Sequence, residues 1–152
     1  MLREAFTERL KQAMRAKDAR TVSAVRMIVA ALKDRDIAAR GTGNTEGVPE
    51  PEILRLLQGM VKQRRESIAL YRQGNRPELA EREEQEIAVI ESFLPKQMSD
   101  DEIAAAARDA ITETGAAGVK DMGKVMGLLT PKSQGRVDGR RLSAAVRNAL
   151  AG

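Results

Sequence analysis

The chain predicts an all-α fold in two parts: an N-terminal helical bundle of about four helices over residues 1–95 and a small three-helix domain over residues 96–152. Three observations carry this. Apolar residues recur at spacings of three and four in one segment after another, the period of a helix with one buried face. Ala, Leu, Glu, Arg and Gln dominate, aromatics are only 2% of residues and β-branched residues are scattered, so nothing marks a strand. Pro95 followed by Ser99-Asp100-Asp101-Glu102 is a helix stop and then a capping box, which divides the two parts.

The first helix is predicted over about Leu2 to Lys17, with Leu2, Phe6, Leu10 and Met14 as its core stripe. The second runs from about Arg20 to Ala39, where Val22, Val25, Val29 and Leu32 make one face and Ala24, Ile28 and Ala31 widen it. Gly41, Gly43, Gly47, Pro49 and Pro51 end it in a loop expected to be mobile. Its glycines read as a linker and not a nucleotide loop, because no strand precedes them and no Lys-Ser/Thr follows. A third helix from about Glu50 to Gln73 turns Ile53, Leu57, Met60, Ile68 and Tyr71 to one side. Gly74-Asn75-Arg76 turns the chain, and Pro77 opens a fourth helix to about Leu94 with Leu79, Ile87, Ile90 and Leu94 on one face.

Charges interrupt these apolar faces. At about 100° per residue Glu83 and Glu86 fall on the apolar side of the fourth helix, and Arg64 does so on the third. Counting outward from the short turn sets Arg64 opposite Glu86 and Glu83. A partly buried structural ion pair is the favoured reading, and a charged pocket is the other.

In the second part Ser99 starts a fifth helix, with Met98 and Ile103 at staple positions, that runs to about Thr114. Gly115 to Gly118 release the chain. A short helix follows from Asp121 to Leu129, broken by Pro131, and Asp138 caps a last helix to Leu150 with Val137 and Leu142 at staple spacing.

Cys and His are both absent. That removes disulfides, thiolate nucleophiles, zinc–sulfur sites and the commonest general base. No catalytic residue, cofactor or metal site is expected. Gly127 to Ser133, GLLTPKS, echoes a phosphate loop but has Pro131 where the second glycine belongs and leaves a helix instead of a strand. Glu83, Glu84 and Glu86 form a run of the kind ordinarily solvated on a helix surface. No apolar run has the length of a signal core or a membrane span, so the cytoplasm is the expected compartment and no membrane partner is expected.

The charge is unevenly placed. From Asp121 to Leu150 there are six cations (Lys124, Lys132, Arg136, Arg140, Arg141, Arg147) against Asp121 and Asp138. Residues 1–94 hold 17 cations against 15 anions, and residues 95–120 hold 3 against 5. Gly123 and Gly127 share one helix face beside Lys120 and Lys124, which suits either close helix packing or a bare strip where a phosphate backbone rests. Arg140 and Arg141 stand in the first turn of the last helix, where the dipole already presents positive charge, and so suggest an anion from outside the chain. The scarcity of aromatics argues against base stacking, so any recognition of RNA would be of its shape and backbone.

The run MGKVMGLL-PK--GRVDG, followed by an Ala/Val-rich helix, resembles the tail domain shared by the GatB subunit of tRNA-dependent amidotransferases and the stand-alone YqeY proteins. Upstream, KQRRESIALYRQGNRPELAEREEQEIAVIESFLPKQMS resembles the N-terminal half of YqeY. The resemblance covers nearly the whole chain, the loop from Arg40 to Pro49 being its least characteristic part, and identifies the chain as a stand-alone member of the GatB/YqeY family. It implies an all-helical protein with a tRNA-directed role in translation. The first function class it implies is a non-catalytic tRNA-binding module or adaptor that meets structured RNA by backbone and shape. Lys120, Gly123, Lys124, Gly127, Lys132, Arg136, Arg140 and Arg147 are then the RNA-facing residues, and an amidotransferase or an aminoacyl-tRNA synthetase is the enzyme it would serve. A second function class implied by the resemblance is an accessory to a carbon–nitrogen ligase with glutamine as amido-N-donor, although no residues for glutaminase or ATP-dependent activation are evident. A third is a protein–protein interaction module.

Overall fold

The computed structural model describes residues 1–152. It is all-α: α1 (Leu2–Arg15), α2 (Ala19–Arg40), α3 (Glu50–Gln73), α4 (Pro77–Glu91), α5 (Asp100–Thr114), a 3₁₀ turn (Val119–Asp121), α6 (Met122–Lys132) and α7 (Gly139–Ala151). The helices form two compact units, Met1–Leu94 and Pro95–Gly152, each with its own core. No helix is long and apolar enough to cross a membrane.

In the first unit α3 and α4 form the hairpin, α2 packs on it, and α1 packs against α2. Phe6, Val25, Ile28, Ile53, Leu57 and Ile90 are essentially without solvent contact. The Phe6 and Phe93 rings meet edge to face with centroids 4.8 Å apart, the arrangement aromatic quadrupoles prefer.

Two predicted faces are rotated. On α1 Phe6 is buried but Met14 is 53% exposed, and Ala13 takes the inward place. A row spaced by exactly four residues drifts about 40° per step on a helix of 3.6 residues per turn, so its fourth member has left the core side. On α2 the buried set is Thr21, Ala24, Val25, Ile28 and Leu32, while Val29 is 39% exposed. That helix is apolar almost all round, so its periodicity leaves the phase open. Thr21 turns in because Asp18 caps the helix, accepting from the Thr21 N–H at 3.1 Å and from its hydroxyl at 2.6 Å.

The segment between α2 and α3 is tied down, contrary to the expected mobile loop. Asn44 Oδ1 accepts from the amides of Glu46 and Gly47, and Val48 is buried in the core. The Val48 N–H donates to Asp36 Oδ1 at 2.9 Å, and its carbonyl accepts from Arg3 Nη2 at 3.0 Å. Arg3 also grips both oxygens of Asp36, at 2.8 and 2.9 Å. Gly47 has φ 98°, a backbone conformation that strains a residue with a side chain, and a Cβ there would stand 2.8 Å from Arg3 Nη2 and push on the Arg3–Asp36 pair.

The second unit closes on two hydrophobic staples. Met98 with Ile103, and Val137 with Leu142, are all buried around Ala107, Val125 and Val146. Ser99 Oγ accepts from the Glu102 amide at 3.2 Å, and Asp138 Oδ1 accepts from the Arg140 amide at 2.8 Å. α6 continues through Pro131 to Lys132, past the predicted break. Proline there removes the donor to the carbonyl of exposed Gly127 in the last turn, where little helix remains to be disrupted, and Ser133 closes the end by donating its N–H and hydroxyl to the Leu129 carbonyl at 3.0 and 2.6 Å.

Candidate nucleic-acid interface

The inward face of α6 is fixed by Val125 and Leu129, both buried. Counted from Val125 at about 100° per residue, Gly123 and Gly127 fall at about 160° and 200°, the outermost part of the helix. A Cβ built on either glycine meets nothing within 4 Å. Close helix packing therefore does not account for these glycines. They leave an exposed strip of bare backbone, with exposed Lys124 on its flank and exposed Lys120 in the preceding 3₁₀ turn.

Neither lysine forms an ion pair, although both lie near enough to Asp121 to favour its ionised form. Asp121 itself accepts from the Ala117 amide at 2.9 Å, and this bond is the main reason its carboxyl sits below the usual range. The aspartate thereby holds the turn that presents Lys120.

On α7 the core face is set by Leu142 and Val146. Arg140 and Arg147, seven residues apart, share the outer face and are exposed. Arg141 turns to the flank, where its guanidinium pairs with Asp100 at the start of α5. For Arg141 the anion comes from within the chain, not from outside it. The sequence carries no local signal for this partner, 41 residues away.

Arg136 is likewise engaged internally. Its Nε donates to the Lys96 carbonyl at 3.1 Å and Nη2 lies 3.6 Å from Glu102, while its own carbonyl accepts from the Met98 amide at 2.9 Å. It locks the turn before α7 to the segment leading into α5, so it leaves the group of cations turned to solvent. Lys132 makes only a loose pair with Glu113 at 3.8 Å, both side chains more than half exposed, and an exposed pair of this kind holds neither partner strongly.

The carboxylate run on α4 is taken up by arginines of α3. Arg64 Nε lies 3.0 Å from Glu86 and 3.8 Å from Glu83, and Glu84 pairs with Arg72. This arrangement is a partly buried ion cluster and not an open charged pocket: Arg64 is 7% exposed, while the Glu86 and Glu83 side chains are 13% and 21% exposed.

The class these features define is a two-unit all-α protein whose smaller unit turns a glycine-bare, lysine-flanked helix face to solvent. The chain belongs to the family described as Yqey-like protein, whose model matches residues 3–150. It is 34% identical over 85 residues to "Altered inheritance of mitochondria protein 41, mitochondrial" of Vanderwaltozyma polyspora, covering 56% of this chain and 44% of that protein. The protein of the same name in Lachancea thermotolerans is 33% identical over 106 residues, covering 68% of this chain and 54% of its own length. The chain thus spans about half the length of the curated relatives it matches.

Proposed function

We propose that the chain is a non-catalytic tRNA-binding module that takes the RNA backbone on the outer face of α6 and serves as an adaptor to an amidotransferase or an aminoacyl-tRNA synthetase. The observation that carries this reading is the pair Gly123 and Gly127, exposed with nothing within 4 Å of a built Cβ, beside two lysines that no carboxylate neutralises by direct pairing. Glycine in a helix costs about 1 kcal/mol relative to alanine, and neither packing nor a turn accounts for that cost at these positions. Close approach of a ligand backbone does. Lys120 and Lys124 then neutralise phosphates, with Arg140, Arg147 and Lys132 as further cations on the same unit.

The compartment we propose is the cytoplasm. The relatives' printed names make mitochondria the alternative, and both compartments hold tRNA.

Titration of labelled tRNA at several salt concentrations tests the reading. Each phosphate contact releases counterions and contributes about 0.7 to 0.9 to the slope of log affinity against log salt. Replacing Lys120 and Lys124 together by alanine is expected to weaken binding and flatten the slope by about 1.5 units, with preference among tRNAs unchanged. Affinity that ignores salt, or that is unaltered in the double variant, puts the RNA elsewhere or nowhere on this chain.

A further inference from the structure

We infer that a groove between the end of α1 and the first half of α2 docks an amphipathic helix of a partner protein, one that carries Asp or Glu beside its apolar stripe. The groove has a volume of about 740 Å³ and lies wholly within the first unit. Its apolar surface comes from Met14 and Met27, which are 53% and 42% exposed, together with Val22. Methionine is flexible and polarizable and adapts to the side chains of a docked helix. Met27 is steadied from beneath, since its sulfur lies 3.6 Å from Nη2 of buried Arg64.

The α2 wall is low. Ala19, Ser23 and Ala30 face the groove, and such small side chains let a second helix come close. The rotation of α2 that buries Ala24 and Ile28 is what leaves this side open.

Charge selects the occupant. The ionisable groups lining the groove are Lys17 and Arg26, both cations, and both are exposed. The nearest carboxylate in sequence, Asp18, is held by the Thr21 amide and hydroxyl at the helix cap. Lys17 stands at φ 56°, where glycine is the usual residue, so a cation is kept at the mouth of the groove in a backbone conformation that disfavours it. An apolar floor under a cationic rim matches an apolar helix with acidic flanks; an RNA backbone has nothing to set against the methionines, and a second copy of this surface would oppose cation to cation.

The test uses the full chain carrying a photo-crosslinking benzoylphenylalanine at position 27, irradiated in cells, with the linked segment mapped by mass spectrometry. The same probe at Leu70, 67% exposed on α3 and outside the groove, serves as control. The expected result is one protein segment with helical apolar spacing and flanking carboxylates, linked from position 27 and not from position 70. A synthetic peptide of that segment should then lose at least about tenfold in affinity when Lys17→Gly and Arg26→Glu are combined. Replacing the peptide's acidic residues by lysine should restore its binding to that variant. Lys17→Gly suits the local backbone, and a melting temperature no lower than that of the native chain shows that the double variant is folded. Links to a second copy, to residues 95–152 of the same chain, to RNA or to lipid overturn the inference. So do no link, a segment without carboxylates, or a peptide indifferent to the charge reversal.

Discussion

Arg64 on α3 donates through Nε to Oε2 of Glu86 on α4 at 3.0 Å, across the hairpin that the turn at Gly74 makes. Its Nη1 donates to the Met60 carbonyl at 3.3 Å, and Glu83 completes the cluster. Burial, and then the neighbouring Glu86, push the Glu83 carboxyl upward, so the guanidinium is what allows two carboxylates to share this site. Removing it leaves two largely desolvated carboxylates facing each other without a cation. Arg64→Ala is expected to lower the unfolding free energy by about 3 to 5 kcal/mol, whereas Arg55→Ala, at an exposed position of the same helix, should change it by less than about 0.5 kcal/mol. Urea unfolding of both variants decides the matter, and equal midpoints would contradict the buried cluster.

A second carboxylate sets an acid limit on the first unit. The two-pronged hydrogen bond from Arg3, reinforced by the Val48 amide and opposed by burial, holds Asp36 down to about 2. A carboxylate depressed in the folded state stabilises it above the ordinary range, and that stability is lost as pH falls from about 4 through about 2. Arg3 is 39% exposed, so solvent screening reduces the contribution to about 1 to 2 kcal/mol. Asp36→Asn is expected to lose this amount at pH 7 and to show a shallower fall in stability below pH 4 than the native chain. Parallel pH series of thermal unfolding measure it; superimposable acid limbs would mean that Asp36 does not anchor the loop.

Lys17 offers a change in the other direction. Its amide donates to the Met14 carbonyl at 3.2 Å and the Asp18 amide to Ala13 at 2.9 Å, so α1 ends on a left-handed residue that is not glycine. That conformation costs an L-residue roughly 1 to 2 kcal/mol, offset for glycine by its greater entropy loss of about 0.5 to 1. Lys17→Gly should therefore stabilise the chain by up to about 1 kcal/mol. A lower melting temperature in the variant would show that the lysine side chain makes a stabilising contact of its own.

The parts legible in the sequence were those decided by local chemistry. Pro95, the Ser99 to Glu102 box and Asp138 act within a few residues of themselves, and helix boundaries followed them closely. The facing of Arg64 and Glu86 needs only a helix period and a short turn. What the sequence could not carry was phase and distant partnership. α2 is apolar on too many sides to declare which one is buried. The loop after it is ordered by Arg3 and Asp36, whose pairing spans 33 residues. Arg136 and Arg141 counted as free cations in the sequence because Lys96 and Asp100 lie 40 and 41 residues away. The bareness of Gly123 and Gly127 was undecided for the same reason: only the packed structure shows that nothing approaches them.

Gly127 gives the sharpest test of the RNA reading, because folding and binding pull its substitution in opposite directions. It lies in the middle of α6, between Met122 and Lys132, and an added methyl meets no neighbour. Alanine at an unobstructed helix position is favoured over glycine by about 0.8 to 1 kcal/mol, so Gly127→Ala should raise the stability of the chain by roughly that amount. The same methyl stands on the outer face, where it would hold a phosphate backbone away from the helix and lengthen its reach to Lys124. Affinity for tRNA is accordingly expected to fall several-fold, with the salt slope little changed because the lysines remain. Arg141→Ala is the comparison: it removes a cation already paired with Asp100 and should affect binding less than Lys124→Ala. Stability from urea unfolding and affinity from tRNA titration on the same preparations check both halves. A Gly127→Ala chain that is more stable and binds tRNA as tightly as before would mean that no RNA backbone rests on the glycine strip.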